Sequence, residues 1–332
     1  MILLLPLLTS SVIRKSEDEN IETKVWEYLK KYSENSYYIL KKYDEAPQQY
    51  SFGNTTITLG EKTNFLIYVT GDSDKDIIKS LNTLVHEMCH AFTSTLVYQY
   101  LQEQNIENFN FDDHYFLFYV DNQKSILVPR TKVFRTNEIH ESIPEKLQTM
   151  RYKIYIYPSS EIGSQIDGIY GLLNELNAYY HGTRTTLDFL DYYSKIAHDN
   201  PMHWLEFFSD VNGTYFAHLE FKFYILKYLL FARDHYPEIY QGILANDQFI
   251  KAFKIIDSNY SELIKKYFKI KSEILQDLQN KGIESSEDEE YIFVENRGCG
   301  NFLGTYKKFE DELNQPEYLS ILTALEKAAE SK

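Results

Sequence analysis

The pattern of apolar and polar positions predicts one long helix with two distinct faces over about residues 74–101. The apolar face comprises Leu81, Leu84, Val85, Met88, Phe92 and Leu96. The polar face comprises Thr83, His86, Glu87, His90, Thr93 and Ser94. A purely structural helix more often carries paired Lys and Glu on its polar face, so this composition indicates a functional site. Ser73 and Asp76 form a predicted capping box at the start of the helix.

The remaining pattern predicts an α+β fold, with a small mixed sheet and the two-faced helix first and a largely helical half after them. Predicted strands cover residues 55–59, 64–69, 115–120, 125–128, 152–157 and 291–294. Predicted helices cover residues 21–43, 219–231, 260–278 and 317–329, together with a long helix marked by Ile166, Ile169, Leu172, Leu173 and Leu176. A hairpin is expected around residues 60–63, a solvated loop over 282–290 and a turn over 297–300.

The chain of 332 residues is long enough for a large core and is expected to form one catalytic unit. Residues 1–20 form a separate N-terminal segment in this interpretation. Residues 21–160 form an α/β half that contains the two-faced helix, and residues 161–332 form a mainly helical half.

Composition and charge narrow the classes of partner. The formal net charge of −15 argues against nucleic acid, because phosphate binding needs clustered Lys and Arg. Two cysteines, Cys89 and Cys299, are too few for a disulfide framework. Beyond the N-terminus, no stretch is apolar enough over sufficient length to predict an integral membrane span.

The first 11 residues resemble the apolar core of a signal peptide that ends in small residues, but they lack the usual basic region. A truncated signal would predict export to the periplasm, the cell surface or the medium. The alternative is a buried N-terminal segment of a cytoplasmic protein. The sequence leaves both interpretations open.

The sequence His86-Glu87-Met88-Cys89-His90 lies within the two-faced helix. Because His86 and His90 are four positions apart, both imidazoles lie on one face and can bind a single Zn²⁺. Glu87 is then placed beside the metal, where it can accept a proton from water. The alternative is a helix in which two stacked histidines serve packing alone.

This motif and its uncharged flanks resemble the active-site helix of the zincin class of zinc metallopeptidases. The resemblance covers roughly residues 83–92, with Thr83-Leu84-Val85 before the motif and Ala91-Phe92 after it. The longer motif of the metzincins is absent, because Thr93 and Leu96 occupy the positions of its Gly and third His. The resemblance implies a zincin-like fold and Zn²⁺ as cofactor.

Glu175 is the predicted third ligand, since a catalytic zinc site normally has three protein ligands. Its carboxylate lies between Leu173 and Leu176 on a helix with an apolar side, and it needs a partner if it is buried. The run Asn174-Glu175 followed by Ala178 resembles the glutamate helix of the gluzincins, which supplies their third ligand.

The chain departs from the gluzincin pattern in two ways. Glu175 follows His90 by 85 positions (175 − 90), far more than in common gluzincins. Tyr179 replaces the acidic residue often found four positions after the ligand, which leaves the partner of the zinc-binding histidines open. His181 and Asp167 are weaker candidates for the third ligand. The small residues Gly171 and Ala178, on the same face as Glu175, are expected to let another helix approach.

The resemblance implies zinc-dependent hydrolysis of peptide bonds in a peptide or protein substrate, with Glu87 as general base. Residues 64–69 are the expected edge strand that aligns an extended substrate. The candidates for stabilising the oxyanion are Tyr179, Tyr180, His181 and His218. Two other functions remain open: a non-catalytic binding protein with a zincin fold, and a metallohydrolase of non-peptide amides or esters.

Overall fold

The structure is a computed structural model that describes residues 20–105, 114–158 and 162–330. The segment that resembles a signal peptide, residues 1–11, lies outside these residues. Across the described ranges, no helix combines the length and apolar character needed to cross a lipid bilayer.

Helices make up most of the described chain. In chain order they are α1 (residues 20–32), α2 (Glu34–Glu45), α3 (Asp74–Glu103), α4 (Met150–Tyr155), α5 (Gly163–Ile166), α6 (Ile169–Asp188), α7 (Leu190–Asp199), α8 (His203–Tyr215), α9 (Ala217–His235), α10 (Pro237–Leu244), α11 (Asp247–Asn280), α12 (Leu303–Leu313) and α13 (Pro316–Glu330). Short 3₁₀ helices cover Phe65–Tyr68, Thr136–Ser142 and Glu145–Leu147.

Seven short strands lie between the described helices: β1 (Gln49–Phe52), β2 (Thr55–Thr58), β3 (Tyr115–Tyr119), β4 (Ser125–Pro129), β5 (Ser285–Glu287), β6 (Tyr291–Val294) and β7 (Arg297–Gly300). They form three separate antiparallel sheets, β1–β2, β3–β4 and β5–β6–β7. The α+β class is confirmed, whereas the expected single mixed sheet is wrong. Two further predictions are wrong. Strand β5 lies within residues 282–290, where a loop was expected, and β7 covers residues 297–300, where a turn was expected.

The two-faced helix is confirmed as α3, and its start follows the predicted cap. The Ser73 hydroxyl accepts a hydrogen bond from the backbone N–H of Asp76 at 3.2 Å. Asp74 and Asp76 place negative charge in the first turn, where it favours the helix. The helix predicted over residues 21–43 is interrupted at Ser33, whose hydroxyl donates to Asp188 at 2.7 Å, so it forms two helices, α1 and α2.

The first hairpin differs from the predicted one. Phe52 pairs with Thr55 across the two-residue loop Gly53-Asn54, and Gly53 has a φ of +57°. Glycine adopts this conformation without strain, as at the first central position of type II′ hairpin turns. The predicted edge strand over residues 64–69 is wrong: Asn64 accepts a hydrogen bond from the Leu66 N–H and starts a 3₁₀ helix there.

The strand predicted over residues 152–157 is also wrong, because α4 occupies most of this segment. The hydroxyl of Thr149 accepts hydrogen bonds from the backbone N–H groups of Arg151 and Tyr152 and so caps the helix. Arg151, Tyr152 and Tyr155 are the buried residues of α4, at a spacing that fits a helix and not a strand. Because residue 155 lies on this helix, the side chain of Tyr155 belongs to the buried face of α4.

The close packing of α3 on α6 joins the two halves of the chain. A Cβ atom built on Gly182 of α6 would lie 2.8 Å from Oδ1 of Asn82 and 3.5 Å from Cβ of His86. Gly171 lies against the backbone of Ser164 in α5, so it lets another helix approach, as expected. The buried apolar residues of both halves form one hydrophobic core. Gly182 therefore sets how closely α6 approaches the histidine-bearing face of α3.

Candidate metal centre

Two histidine nitrogens and one carboxylate oxygen meet between α3 and α6. Nε2 of His86 lies 3.2 Å from Nε2 of His90. Oε2 of Glu175 lies 3.6 Å from Nε2 of His86 and 3.4 Å from Nε2 of His90. The structure thus brings together the three residues that the sequence predicts as metal ligands, and their ligating atoms all lie within 4.8 Å of one another.

These spacings fit the chemistry of a zinc site. In a tetrahedral site with zinc–ligand bonds of about 2.0–2.1 Å, neighbouring ligand atoms are about 3.3 Å apart. The three distances in this cluster are 3.2, 3.4 and 3.6 Å. Oε2 of Glu175 is also a buried polar atom without a hydrogen-bond partner in the described part of the chain. A bound cation would satisfy this atom, and two imidazoles with one carboxylate form a common ligand set for Zn²⁺.

The charges of the three side chains are set by their burial and by one another. Burial lowers the pKa of His86 to about 3, so its imidazole is neutral at neutral pH. Burial also opposes the charged form of His90, but the carboxylate of Glu175 outweighs this effect and raises the pKa of His90. Burial disfavours the ionised form of Glu175 too, yet attraction to His90 lowers its pKa. A metal ion would take the place of the proton in this pair.

Glu87 follows His86 on α3 and is only partly buried. Partial burial raises the pKa of its carboxyl group, and repulsion from Glu175 adds to this effect while attraction to His90 opposes it. A carboxylate with a raised pKa is better suited to accept and return a proton near neutral pH. Glu87 is therefore electrostatically coupled to the cluster while it keeps access to solvent.

A tyrosine that the sequence analysis missed lies at the same site. The hydroxyl of Tyr155 is within hydrogen-bonding reach of the Glu175 carboxylate and lies 3.4 Å from the hydroxyl of Tyr179. The ring of Tyr179 contacts the ring of His86, with a centroid distance of 4.4 Å. Burial raises the pKa of Tyr155, which keeps its hydroxyl protonated and able to donate. Since residues 152–157 were predicted as a strand, only the helical register of α4 identifies Tyr155.

The guanidinium of Arg151, on the same helix as Tyr155, packs against the ring of Tyr179. The guanidinium lies 4.5 Å from the ring centroid of Tyr179 and 4.5 Å from that of Phe216. The charge is balanced by the fully buried Glu220, whose carboxylate accepts a hydrogen bond from Arg151 at 3.1 Å. These contacts fix the orientation of the Tyr179 ring beside His86.

The other predicted candidates lie away from the cluster. Tyr180 donates a hydrogen bond to Asp121, and His181 bonds the backbone oxygen of Tyr119 at 2.9 Å. His218 pairs with Asp257 at 2.7 Å. Of the four oxyanion candidates, only Tyr179 therefore lies beside the histidines.

The two weaker candidates for the third ligand are also separate from the cluster. His181 is hydrogen-bonded to the backbone oxygen of Tyr119, and Asp167 pairs with Arg130 at 3.2 Å. Cys89 is fully buried beside Asn177, as expected for a packing residue, and both cysteines are free thiols.

His90 and Glu175 line a surface cleft with a volume of about 520 Å³. The cleft extends along α3 past Thr93 and Ser94. The cluster therefore lies at the wall of a space large enough for part of a substrate. Comparisons of this chain with protein-family models, with curated proteins and with solved structures find no match.

Proposed function

We propose that this chain is a zinc-dependent hydrolase of the zincin type that cleaves peptide bonds. The convergence of His86, His90 and Glu175 at the spacing of zinc ligands carries the proposal. The neighbouring carboxylate of Glu87 adds a base that a purely structural metal site does not need. The cleft beside the cluster supplies space for a substrate.

In this proposal the zinc ion, when bound by the three side chains, supplies Lewis-acid chemistry that acidifies water and polarises the scissile carbonyl group. Glu87 accepts the proton of the attacking water and delivers it to the leaving amine. Its raised pKa makes the carboxylate a stronger base and so favours the first of these transfers. The buried Glu175 and the two histidines stay fixed during the reaction because α3 and α6 hold them on rigid elements.

Tyr155 is the proposed donor to the oxygen that develops negative charge. Its hydroxyl is protonated, lies next to Glu175 and belongs to the inward face of α4. Tyr179 lies 3.4 Å from that hydroxyl and limits where it can point. A hydrogen bond that strengthens as charge develops lowers the barrier to hydrolysis.

Activity of a Glu87→Gln variant tests the function. The purified parent and the variant are incubated with a mixture of unmodified peptides, and cleavage is followed by mass spectrometry. The parent should cleave peptides, lose activity on chelation and regain it with added zinc. Glu87→Gln should retain zinc but lose at least about 100-fold in rate, the lower range for general acid–base catalysis. Glu103→Gln, on the same helix but away from the cluster, is the matched control.

Two other outcomes separate the rival functions. If the parent binds zinc and peptides without cleaving them, the chain is a binding protein with a metal. Cleavage of ester or non-peptide amide substrates together with intact peptides would assign it to another class of metallohydrolase. A parent that holds no zinc and cleaves nothing would contradict the proposal.

A further inference from the structure

The cleft beside the cluster has an apolar wall. Ile57 of β2, Val97 and Leu101 of α3, and Phe116 of β3 line it together with Tyr98. Val97 and Leu101 lie two and three turns beyond His90, so this wall begins next to the metal ligands and leads away from them. Apolar side chains from three elements around one cleft provide a surface that favours an apolar group.

The opposite wall is polar, but its charged groups are already paired. Asp167 lies 3.2 Å from Arg130, and His114 adds a favourable interaction with the same carboxylate. Glu175 faces the two histidines. Neither lysine nor arginine occurs among the described residues that line the cleft. A charged group of a substrate would therefore lose hydration without meeting an uncompensated partner on these walls.

Glycines widen this side of the cleft. Gly163 lines it, and a Cβ atom built on Gly163 would meet nothing within 4 Å. A larger side chain at this position would occupy open space and would not clash with the protein. Gly163 also has no positive φ, so a substitution there causes no backbone strain. This position is therefore suited to narrowing the cleft by mutation.

We propose that this cleft selects a large, neutral apolar side chain next to the scissile peptide bond, and that Ile57, Val97 and Phe116 contact that side chain. The proposal rests on the proposed peptidase function and specifies its substrate class. Leucine or phenylalanine would replace water along the apolar wall. Acidic or basic residues would gain no such contact.

A set of end-blocked peptides that differ at one position tests this specificity. The sequence is Ala-Ala-X-Ala-Ala, where X is Phe, Leu, Ala, Lys or Asp. The parent should cleave beside X, with kcat/KM for Phe or Leu at least about tenfold above the other three, as expected for an apolar subsite. Fluorescence anisotropy with labelled forms of the same peptides and the Glu87→Gln variant measures binding without cleavage and should give the same order.

Two variants test the assigned walls. Gly163→Leu fills open space and should lower kcat/KM for the Phe peptide by about tenfold, while that for the Ala peptide changes by less than about twofold. Gly163→Ala is the control for the loss of glycine itself and should behave like the parent. Ile57→Ala removes part of the apolar wall and should reduce the preference for Leu over Ala several-fold. Thermal unfolding of each variant verifies that it is folded.

The outcomes separate the specificity from the proposed function. Equal rates for all five peptides, or equal effects of Gly163→Leu and Gly163→Ala on every peptide, would overturn the specificity and leave the peptidase function standing. A preference for Lys that Asp167→Asn abolishes would assign the cleft to cationic side chains instead. If no peptide is cleaved but Phe and Leu peptides bind more tightly and Gly163→Leu weakens this binding, the subsite holds and the peptidase function fails. If the peptides are neither cleaved nor bound, both the specificity and the peptidase function are overturned.

Discussion

A Cβ atom on Gly182 would lie 2.9 Å from the backbone oxygen of Asn82, closer than real Cβ contacts allow. Asn82 lies one turn before His86 on α3, so this approach of α6 determines how far Glu175 stands from the histidines. The position of Glu175 relative to the histidines thus depends on a residue that does not itself belong to the cluster.

Gly182→Ala is expected to lower the free energy of unfolding by about 1–3 kcal/mol, because the added methyl group pushes α6 away from α3. The affinity for zinc should fall as well, since Glu175 moves with α6. Chemical denaturation and a zinc titration measure the two effects. Gly213→Ala is the matched control, because a Cβ there meets nothing within 4 Å. Equal stability of the two variants would contradict the packing described for Gly182.

Tyr155→Phe is expected to reduce kcat by about 10²–10³-fold with a smaller change in KM, as for the loss of one donor to an oxyanion. Zinc content should stay at the parent level, because Tyr155 is not a ligand. Steady-state kinetics and metal analysis provide the measurements. Tyr157→Phe, two positions away and 47% exposed, should have no effect. Parent-like activity of Tyr155→Phe would assign the donor role elsewhere.

Glu220→Ala is expected to destabilise the protein by about 3–5 kcal/mol, because it leaves the guanidinium of Arg151 buried without its counter-charge. Both side chains are nearly inaccessible, with 4% of Arg151 and 0% of Glu220 exposed. Glu262→Ala removes an exposed partner of Lys265 and should change stability by less than about 1 kcal/mol. Urea denaturation of both variants measures the difference; similar values would show that burial does not decide the strength of this pair.

The sequence predicts α3 and the placement of both histidines on one of its faces because several local signals agree there. The spacing of apolar residues, the Ser73 cap and the four-residue spacing of His86 and His90 all favour the same helix and the same face. Glu175 follows from chemistry, because a carboxylate among leucines needs a partner. The inferences about α3, its histidines and Glu175 depend only on residues that lie within a few helical turns of one another in the sequence.

The missed features depend on contacts between distant parts of the chain. The Tyr and Ile residues over 152–157 favour a strand, but Arg151 pairs with Glu220, 69 positions later, and that contact fits α4. Two glycines of α6, Gly171 and Gly182, look equivalent in the sequence. Only the packing shows that Gly182 meets α3 while Gly171 meets Ser164.

Asp210 should make the stability of the protein depend on pH. Burial raises the pKa of its carboxyl group from 3.8 to about 6, and Tyr193 donates a hydrogen bond to it at 2.9 Å. Between these two pH values the folded state holds a proton that the unfolded state has released. The contribution of Asp210 to stability is therefore present below about pH 4 and is lost as the pH rises through about 6.

Asp210→Asn removes this dependence, because the amide stays neutral and still accepts the hydrogen bond from Tyr193. The variant should match the parent near pH 4 and exceed it at pH 7–8 by at most about 3 kcal/mol, given about 1.4 kcal/mol per pKa unit and partial solvent exposure. Unfolding curves across this pH range measure the effect. The exposed Asp311→Asn serves as control. A constant difference between Asp210→Asn and the parent at all pH values would rule out this role.

The most direct test of the central claim is a crystal structure of the zinc-loaded protein with anomalous data collected on both sides of the zinc absorption edge. A single strong peak is expected about 2.0–2.2 Å from Nε2 of His86, Nε2 of His90 and a carboxylate oxygen of Glu175. Crystals of Glu175→Ala soaked in the same way should lose most of this peak. An empty position between intact His86, His90 and Glu175, or a zinc ion bound only by other residues, would contradict the assignment of this cluster as the metal centre.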